Sequence, residues 1–161
     1  MAISVRTSDF GRLVDMYGGI EDLEAKIIRT PLDPDVTFSD DPLRMFRAIR
    51  FASQLQFEIH PDTLAAISRN AHRITILSKE RIETELTKIM MSAQPSIGWI
   101  LLQQTGLLKI FFPDLDAMSG VEVKNGRAHK DNFLHTMEVL DKVAAATDNL
   151  WTRWAALLHD I

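Results

Sequence analysis

Prolines and polar capping residues divide most of this sequence into short segments, and each segment then continues with apolar residues at helical spacing. Pro42, Pro61 and Pro95 are three such positions. Proline is accepted in the first turn of a helix, because the N–H that it lacks would have no partner there, but it breaks a helix from within. The chain is therefore restricted to a series of short helices that begin at these positions.

Apolar residues three and four positions apart mark one face of each predicted helix, as Ile82, Leu86 and Ile89 do after the capping residue Ser78. The predicted helices begin near residues 39–42, 61, 78 and 95 and span residues 132–146 and 150–161. Residues 1–30 predict short strands around a polar turn and a brief helix at 20–26, followed by an extended proline-rich connector at 30–35. We therefore predict a mostly α fold with a small α/β part at its N-terminus.

Composition limits the classes of protein to which the chain can belong. Its 161 residues are 46% hydrophobic, which is sufficient for a packed core and argues against disorder. The absence of cysteine excludes disulfides and thiolate metal sites. The formal net charge of −4 argues against a strongly basic coat, although a local basic face for RNA is compatible with it. No apolar run indicates a signal peptide or a membrane helix, so we expect a cytoplasmic protein.

Two aspartates and three arginines lie close together at the start of one predicted helix: Asp40, Asp41, Arg44, Arg47 and Arg50. Residues three and four apart are neighbours on a helix, so both acids are predicted to lie next to Arg44. The simplest interpretation is a set of intrahelical ion pairs, each contributing roughly 0.2–0.5 kcal/mol, with Asp41 as a helix cap.

The same groups also match the edge of a nucleobase. Cytosine and adenine both present an exocyclic amine beside a ring-nitrogen acceptor. A carboxylate accepts a hydrogen bond from the amine, and a guanidinium donates one to the ring nitrogen. Uracil and guanine present a carbonyl and a ring N–H instead, and the mismatch leaves buried polar groups unpaired. A paired aspartate and arginine on a rigid helix therefore indicate selection of CTP and ATP without a template.

The segment from Asp40 to Arg44, followed by Arg47 to Ala52, resembles the nucleotide-recognition motif of class II CCA-adding enzymes and bacterial poly(A) polymerases. These are template-independent RNA nucleotidyltransferases. The resemblance assigns base reading to Asp41 and Arg44. Asp40 stands where the family usually has glutamate and would orient Arg44. Arg47 and Arg50 become candidate phosphate or RNA contacts, or structural ion pairs.

The neighbouring segments follow the family's order. Residues 15–23 resemble its junction between head and neck, and residues 78–86 resemble the helix that supports the nucleotide-reading helix. The resemblance implies four parts: the end of a nucleotidyltransferase head at 1–30, a helical neck that selects nucleotides and binds RNA at 31–115, a linker at 116–131, and the truncated start of an HD domain at 132–161. The substrates would be CTP and ATP, and the partner the 3′ end of tRNA or another RNA.

The resemblance also implies a catalytic centre that this sequence lacks. In the family, an Asp-x-Asp pair on a head-domain strand holds Mg²⁺ for nucleotidyl transfer. The segments 33–35 and 114–116 have that spacing, but one lies in the proline-rich connector and the other in a predicted loop. We therefore expect no catalytic residue here, the Mg²⁺ ligands upstream of Met1, and no nucleotide addition by this chain alone. Its last residues, in the middle of an apolar helical pattern, also suggest a piece of a larger protein.

A second candidate site involves His135, His159 and Asp160. Residues 132–140 and 157–160 resemble the opening of an HD domain, in which a histidine and a later His-Asp pair bind a metal ion. The fourth ligand would follow Ile161. A single histidine on an apolar helix is otherwise most often a core residue. Two alternative functions stay open at this point: an HD-type metal phosphohydrolase fragment, and a non-catalytic helical RNA-binding module.

Overall fold

The computed structural model describes residues 2–120, 123–124, 127–128 and 131–161. Helices make up most of these residues, so the predicted mostly α fold is confirmed. No helix in this part of the chain combines the length and the apolar character that a bilayer crossing requires.

The N-terminal residues form the small α/β part that the sequence predicts. Strands β1 (Ala2–Ile3) and β2 (Leu13–Val14) pair antiparallel around a turn, and helix α1 spans Gly19–Glu24. A further pair was not predicted: β3 (Ile27–Ile28) lies parallel to β4 (Glu58–Ile59). This pairing fastens the N-terminal part to the helical body.

The helical body follows the predicted order with four additions. It consists of α2 (Pro34–Asp40), α3 (Leu43–Leu55), α4 (Pro61–Asn70), a 3₁₀ helix (Ala71–Ile76), α5 (Lys79–Met90), α6 (Pro95–Gln104), α7 (Leu107–Phe111), α8 (Pro113–Asp116), α9 (Asn132–Ala146) and α10 (Leu150–Leu158). Within the predicted linker, β5 (Val123–Lys124) pairs antiparallel with β6 (Arg127–Ala128), and residues 121–122, 125–126 and 129–130 lie outside the described residues. The additions are α2, the 3₁₀ helix, α7 and α8, and α8 forms where a loop was predicted at residues 114–116.

Proline and capping side chains begin these helices as the sequence suggests. Proline occupies the first turn of α2, α4 and α6. The side chains of Asp33, Ser78 and Asp131 accept hydrogen bonds from backbone N–H groups two or three residues inside α2, α5 and α9. These bonds satisfy N–H groups that have no partner within the helix, which sets where each helix starts.

The predicted start of α3 is wrong in one respect. Asp40 ends α2, and Asp41 separates α2 from α3 with an extended backbone, φ −140° and ψ 94°. The reason is Pro42, because the ring of a proline excludes the residue before it from the helical region. Neither aspartate therefore shares a helix with Arg44.

The core lies around α3, which packs against α5 and α6. Met45, Phe46 and Ile49 of α3 are buried completely. Side chains of α9 and α10, including Met137 and Leu157, belong to the same buried cluster. Residues 132–161 thus complete the core of the preceding helices.

Candidate functional site

Asp41 lies at the break between α2 and α3, where three groups contact its carboxylate. The Leu43 N–H donates to Oδ1 at 3.2 Å, which holds the side chain over the start of α3. Nη2 of Arg81, on α5, is 3.6 Å from the same oxygen. Nε of Arg44 is 3.9 Å from Oδ2. The acid is therefore oriented by backbone and by two cations at once.

Asp41 and Arg44 are both accessible to a ligand. Their side chains are 31% and 49% exposed. Because the two groups are adjacent and both are partly exposed, the geometry is compatible with contact of one planar molecule with both. The predicted meeting of Asp41 with Arg44 is present, although it spans a helix boundary.

An open pocket of about 390 Å³ lies beside Arg44. It is formed between residues 28–32, α2 and α3, with Arg44 and Arg47 at its wall and Phe51 among its apolar groups. Asp41 is not part of this wall; it adjoins the pocket through Arg44. A cavity of this size with apolar walls and a few cationic groups is typical of a small-molecule site.

Arg47 and Arg50 both approach Glu85 of α5, which is 3% exposed. Nε of Arg50 is 2.8 Å from Oε2 of Glu85, an ion pair without the alignment of a hydrogen bond. Nε of Arg47 is 4.0 Å from Oε1, and Nζ of Lys88 is 3.5 Å from that atom. The structure thus forms the structural pairs that the sequence left open, and nucleotide contact by either arginine stays a prediction.

The remaining aspartates near this site have structural positions. Asp40 is exposed, and the described part of the chain contains no ion pair between Asp40 and Arg44. Asp35 accepts two hydrogen bonds from Arg69, at 3.2 and 2.6 Å, and one from Asn70 at 2.6 Å. The Arg69 bonds lower the pKa of Asp35. These contacts join α2 to α4.

Sequence reasoning did not single out Arg81 and Glu85. Both lie on the segment that resembles the supporting helix, and their spacing of four places them on one face of α5. Glu85 also follows Ile82 by three positions and precedes Ile89 by four, so it interrupts an apolar stripe. A carboxylate inside such a stripe indicates a buried partner, which here comes from α3.

The three predicted metal ligands also come together. One ligand atom from each of His135, His159 and Asp160 lies within 4.8 Å of the others. Nδ1 of His159 is 2.8 Å from the Ala156 carbonyl, and Nε2 is 3.1 Å from Oδ2 of Asp160. A backbone partner at one ring nitrogen fixes the tautomer and directs the other nitrogen to the ligand side, as in many metal sites. Two imidazoles and a carboxylate suit a divalent transition metal or Mn²⁺.

Comparison with known proteins shows what the chain resembles in sequence and fold. The sequence model that matches residues 56–119 is described as "Probable RNA and SrmB- binding site of polymerase A". This range covers β4 and helices α4 to α8.

Two curated relatives match nearly the whole chain. The "Multifunctional CCA protein" of Nitrosospira multiformis is 34% identical over 98% of this chain and 38% of its own length. The "CCA-adding enzyme" of Blochmanniella pennsylvanica is 35% identical over 94% of this chain and 37% of its own length. The chain therefore spans somewhat less than two fifths of these relatives.

Solved structures share the fold. A tRNA-processing enzyme in an apo form has a TM-score of 0.73 at 23% identity and covers 99% of this chain and 45% of its own. A CCA-adding enzyme in complex with CTP has a TM-score of 0.66 at 27% identity over 87% of this chain and 31% of its own. A complex of such an enzyme with ATP has a TM-score of 0.67 at 25% identity over 97% and 36%. In sequence and fold the chain resembles class II CCA-adding enzymes and bacterial poly(A) polymerases, and these matches support its assignment as a fragment of that family.

Proposed function

We propose that this chain selects the nucleotide in a template-independent nucleotidyltransferase that adds CMP and AMP, from CTP and ATP, to the 3′ end of tRNA. The observation that carries the proposal is the placement of Arg44, whose Nε is 3.9 Å from Oδ2 of Asp41 while both side chains remain accessible. The relatives named as CCA-adding enzymes, and the solved complexes with CTP and with ATP, support it.

Base selection follows from the arrangement of the two side chains. Leu43 and Arg81 hold Oδ1 of Asp41, so Oδ2 is the oxygen that can accept from the exocyclic amine of cytosine or adenine. The Arg44 guanidinium donates to the adjacent ring nitrogen. A uracil or guanine edge would set a carbonyl against the carboxylate and a ring N–H against the guanidinium, which is unfavourable at both positions.

Phosphoryl chemistry in this proposal comes from Mg²⁺ held outside the described residues. Among those residues, the one group of three potential metal ligands is the cluster of His135, His159 and Asp160. Asp41, which contacts the pocket residue Arg44, is already paired with cations. The enzyme would then be cytoplasmic, and this chain would supply four of its parts: the end of the head at 1–30, the neck at 31–115, the linker at 116–131 and the start of the HD domain at 132–161.

The proposal predicts a defined effect of Arg44→Ala in an enzyme that joins this chain to a catalytic head. The kcat/KM for CTP and ATP should fall about 10- to 100-fold, the range expected for a lost charge-assisted hydrogen bond. Lys109→Ala removes the same charge at the exposed surface of α7 and should leave both values unchanged. Equal kinetics of Arg44→Ala and the parent would show that Arg44 does not read the base.

A second candidate function is suggested by the cluster of His135, His159 and Asp160. A metal ion bound there would supply an activated water for phosphoester hydrolysis. Titration of the chain with Mn²⁺ or Co²⁺ tests for the site by calorimetry, and His159→Ala should abolish the binding. Retention of the affinity in that variant would exclude this cluster as the metal site.

A further inference from the structure

Arg153 is the only buried arginine in the described part of the chain, at 2% exposure, and it lies outside both candidate sites. It belongs to α10, on the face that also carries Ala156 and Leu157. A charge in such a position is costly unless every donor has a partner. The question is what those partners are.

Three of its hydrogen bonds go to the connection between α9 and α10. Nε donates to the Thr147 carbonyl at 2.9 Å, and Nη2 donates to the Ala144 carbonyl at 2.9 Å. Nη2 also donates to Oδ1 of Asp148 at 3.1 Å. The side chain therefore orders the turn that sets α10 against α9.

The other two hydrogen bonds cross to the turn between α5 and α6. Nη1 donates to the carbonyls of Met90 and Ser92, at 2.8 and 2.9 Å. A guanidinium has five N–H donors, and the bonds to both turns together use all of them. Arg153 thus bonds to residues 63 and 61 positions away in the sequence.

The acceptors explain why a cation is stable here. Met90 is the last residue of α5, and Ala144 lies in the last turn of α9. The final carbonyls of a helix have no partner within it, and the negative end of the helix dipole lies there. One guanidinium completes two helix ends at once, which the three clustered donors of a lysine cannot do across this span.

We propose that Arg153 is a positioning residue that locks the pair α9–α10 onto the C-terminal end of α5. By fixing α10 against α9, it also sets where His159 and Asp160 meet His135, and this second consequence rests on the proposed metal site. The lock itself does not depend on metal.

Native-state hydrogen exchange of the whole chain tests the lock. In Arg153→Met, exchange of the α9 and α10 amides should accelerate, relative to the parent protein, about tenfold or more beyond any acceleration in α3. The reason is that α9 and α10 can then open without the helices that they pack on. The matched control is Phe38→Leu, which weakens the core at α2, far along the chain from α10. In the control, α9 and α10 should exchange no faster relative to α3 than in the parent protein.

Arg153→Lys provides a milder change in case the methionine variant does not fold. Lysine keeps the positive charge but lacks the planar set of five donors. The variant should therefore accelerate exchange selectively in α9 and α10, by a smaller factor than Arg153→Met does. Uniform acceleration of α3, α9 and α10 in the arginine variants would overturn the proposal, since it would mean that Arg153 contributes only to global stability.

The visible absorption of bound Co²⁺ reports the geometry of its ligands, which in this proposal are His135, His159 and Asp160. Arg153→Lys should alter this spectrum and weaken Co²⁺ binding about tenfold, as loss of outer support does in metal sites, whereas Phe38→Leu should keep the spectrum of the parent. If the parent itself binds no Co²⁺, the proposed metal site is wrong, and hydrogen exchange still decides the lock. If the parent binds Co²⁺ and the lysine variant has the same spectrum and affinity, Arg153 does not position the ligands.

Discussion

Residues at the candidate site differ in how far their roles follow from local sequence. The contact of Asp41 with Arg44 was predictable, because three positions along the chain keep them close whether or not a helix begins between them. The pairing of Arg50 with Glu85 was not predictable, because the two residues lie on different helices and are thirty-five positions apart in the sequence. Spacing alone shows that Glu85 interrupts an apolar stripe; only the packing of α3 on α5 shows which cation it meets.

Glu85 offers a stability test at the residue scale. Glu85→Ala should lower the free energy of unfolding by about 3 kcal/mol, because it leaves the partly buried guanidinium of Arg50 without its acid. Urea unfolding followed by circular dichroism measures this. Lys88→Ala, which removes the more exposed partner, should cost less than about 1 kcal/mol. Equal losses of unfolding free energy in the two variants would contradict the conclusion that the Arg50–Glu85 pair is the more stabilising of the two.

The pair of Asp35 and Arg69 predicts a dependence of stability on pH. The pKa of Asp35 lies below its ordinary value of 3.8 in the folded chain. The pair therefore stabilises the fold fully above that value and loses its contribution as the pH falls through the lowered pKa. Asp35→Asn should be less stable than the parent at pH 7 and show a shallower loss of stability in acid. Asp40→Asn, at an exposed site, should keep the acid profile of the parent.

At the scale of elements, most helix boundaries follow from proline and capping chemistry. The predicted helix at 132–146 matches α9, and Ser78 begins α5 as expected. The two prolines of residues 30–35 predict an extended connector and no helix, whereas in the structure Pro34 occupies the first turn of α2, which Asp33 caps. The parallel pair β3–β4 could not be predicted, since its two-residue strands have no periodicity to detect.

The break before α3 predicts an effect of Pro42→Ala on the enzyme that joins this chain to a catalytic head. Without the proline, Asp41 regains access to the helical region, and the oriented carboxylate becomes one of several conformations. KM for CTP and ATP should rise several-fold, while circular dichroism stays that of the parent. Pro61→Ala changes the first-turn proline of α4, away from Asp41, and should leave KM unchanged. An unchanged KM in Pro42→Ala would show that the extended backbone is not needed.

On the scale of the whole molecule, the segments 31–115 and 132–161 share one core although the family resemblance divides them. Trp99 of α6 and Trp154 of α10 contact edge to face, with centroids 5.8 Å apart. The carboxylate of Asp141, on α9, accepts from the N–H and the hydroxyl of Ser96, at 3.0 and 2.6 Å. This side chain caps α6 from a distance of forty-five residues, which no local pattern reveals.

A shared core predicts that these segments unfold together. In Trp151→Phe, which removes the exposed indole, fluorescence reports on the contact of Trp99 with Trp154. Its urea midpoint should coincide with that of far-ultraviolet circular dichroism, as for a two-state transition. A fluorescence midpoint at lower urea would mean that α10 detaches before the helices of residues 31–115 unfold.

Glu85 has more positive charge around it than it needs for neutralisation, because Arg47, Arg50 and Lys88 all approach its carboxylate. Arg50 is the shielded partner, whereas Arg47 is half exposed, stands farthest away at 4.0 Å and also borders the pocket. We therefore expect an incoming polyphosphate to recruit Arg47 while Arg50 and Lys88 continue to neutralise the buried acid. Electrostatic redundancy of this kind lets one side chain turn towards a ligand without exposing the interior to an unbalanced charge.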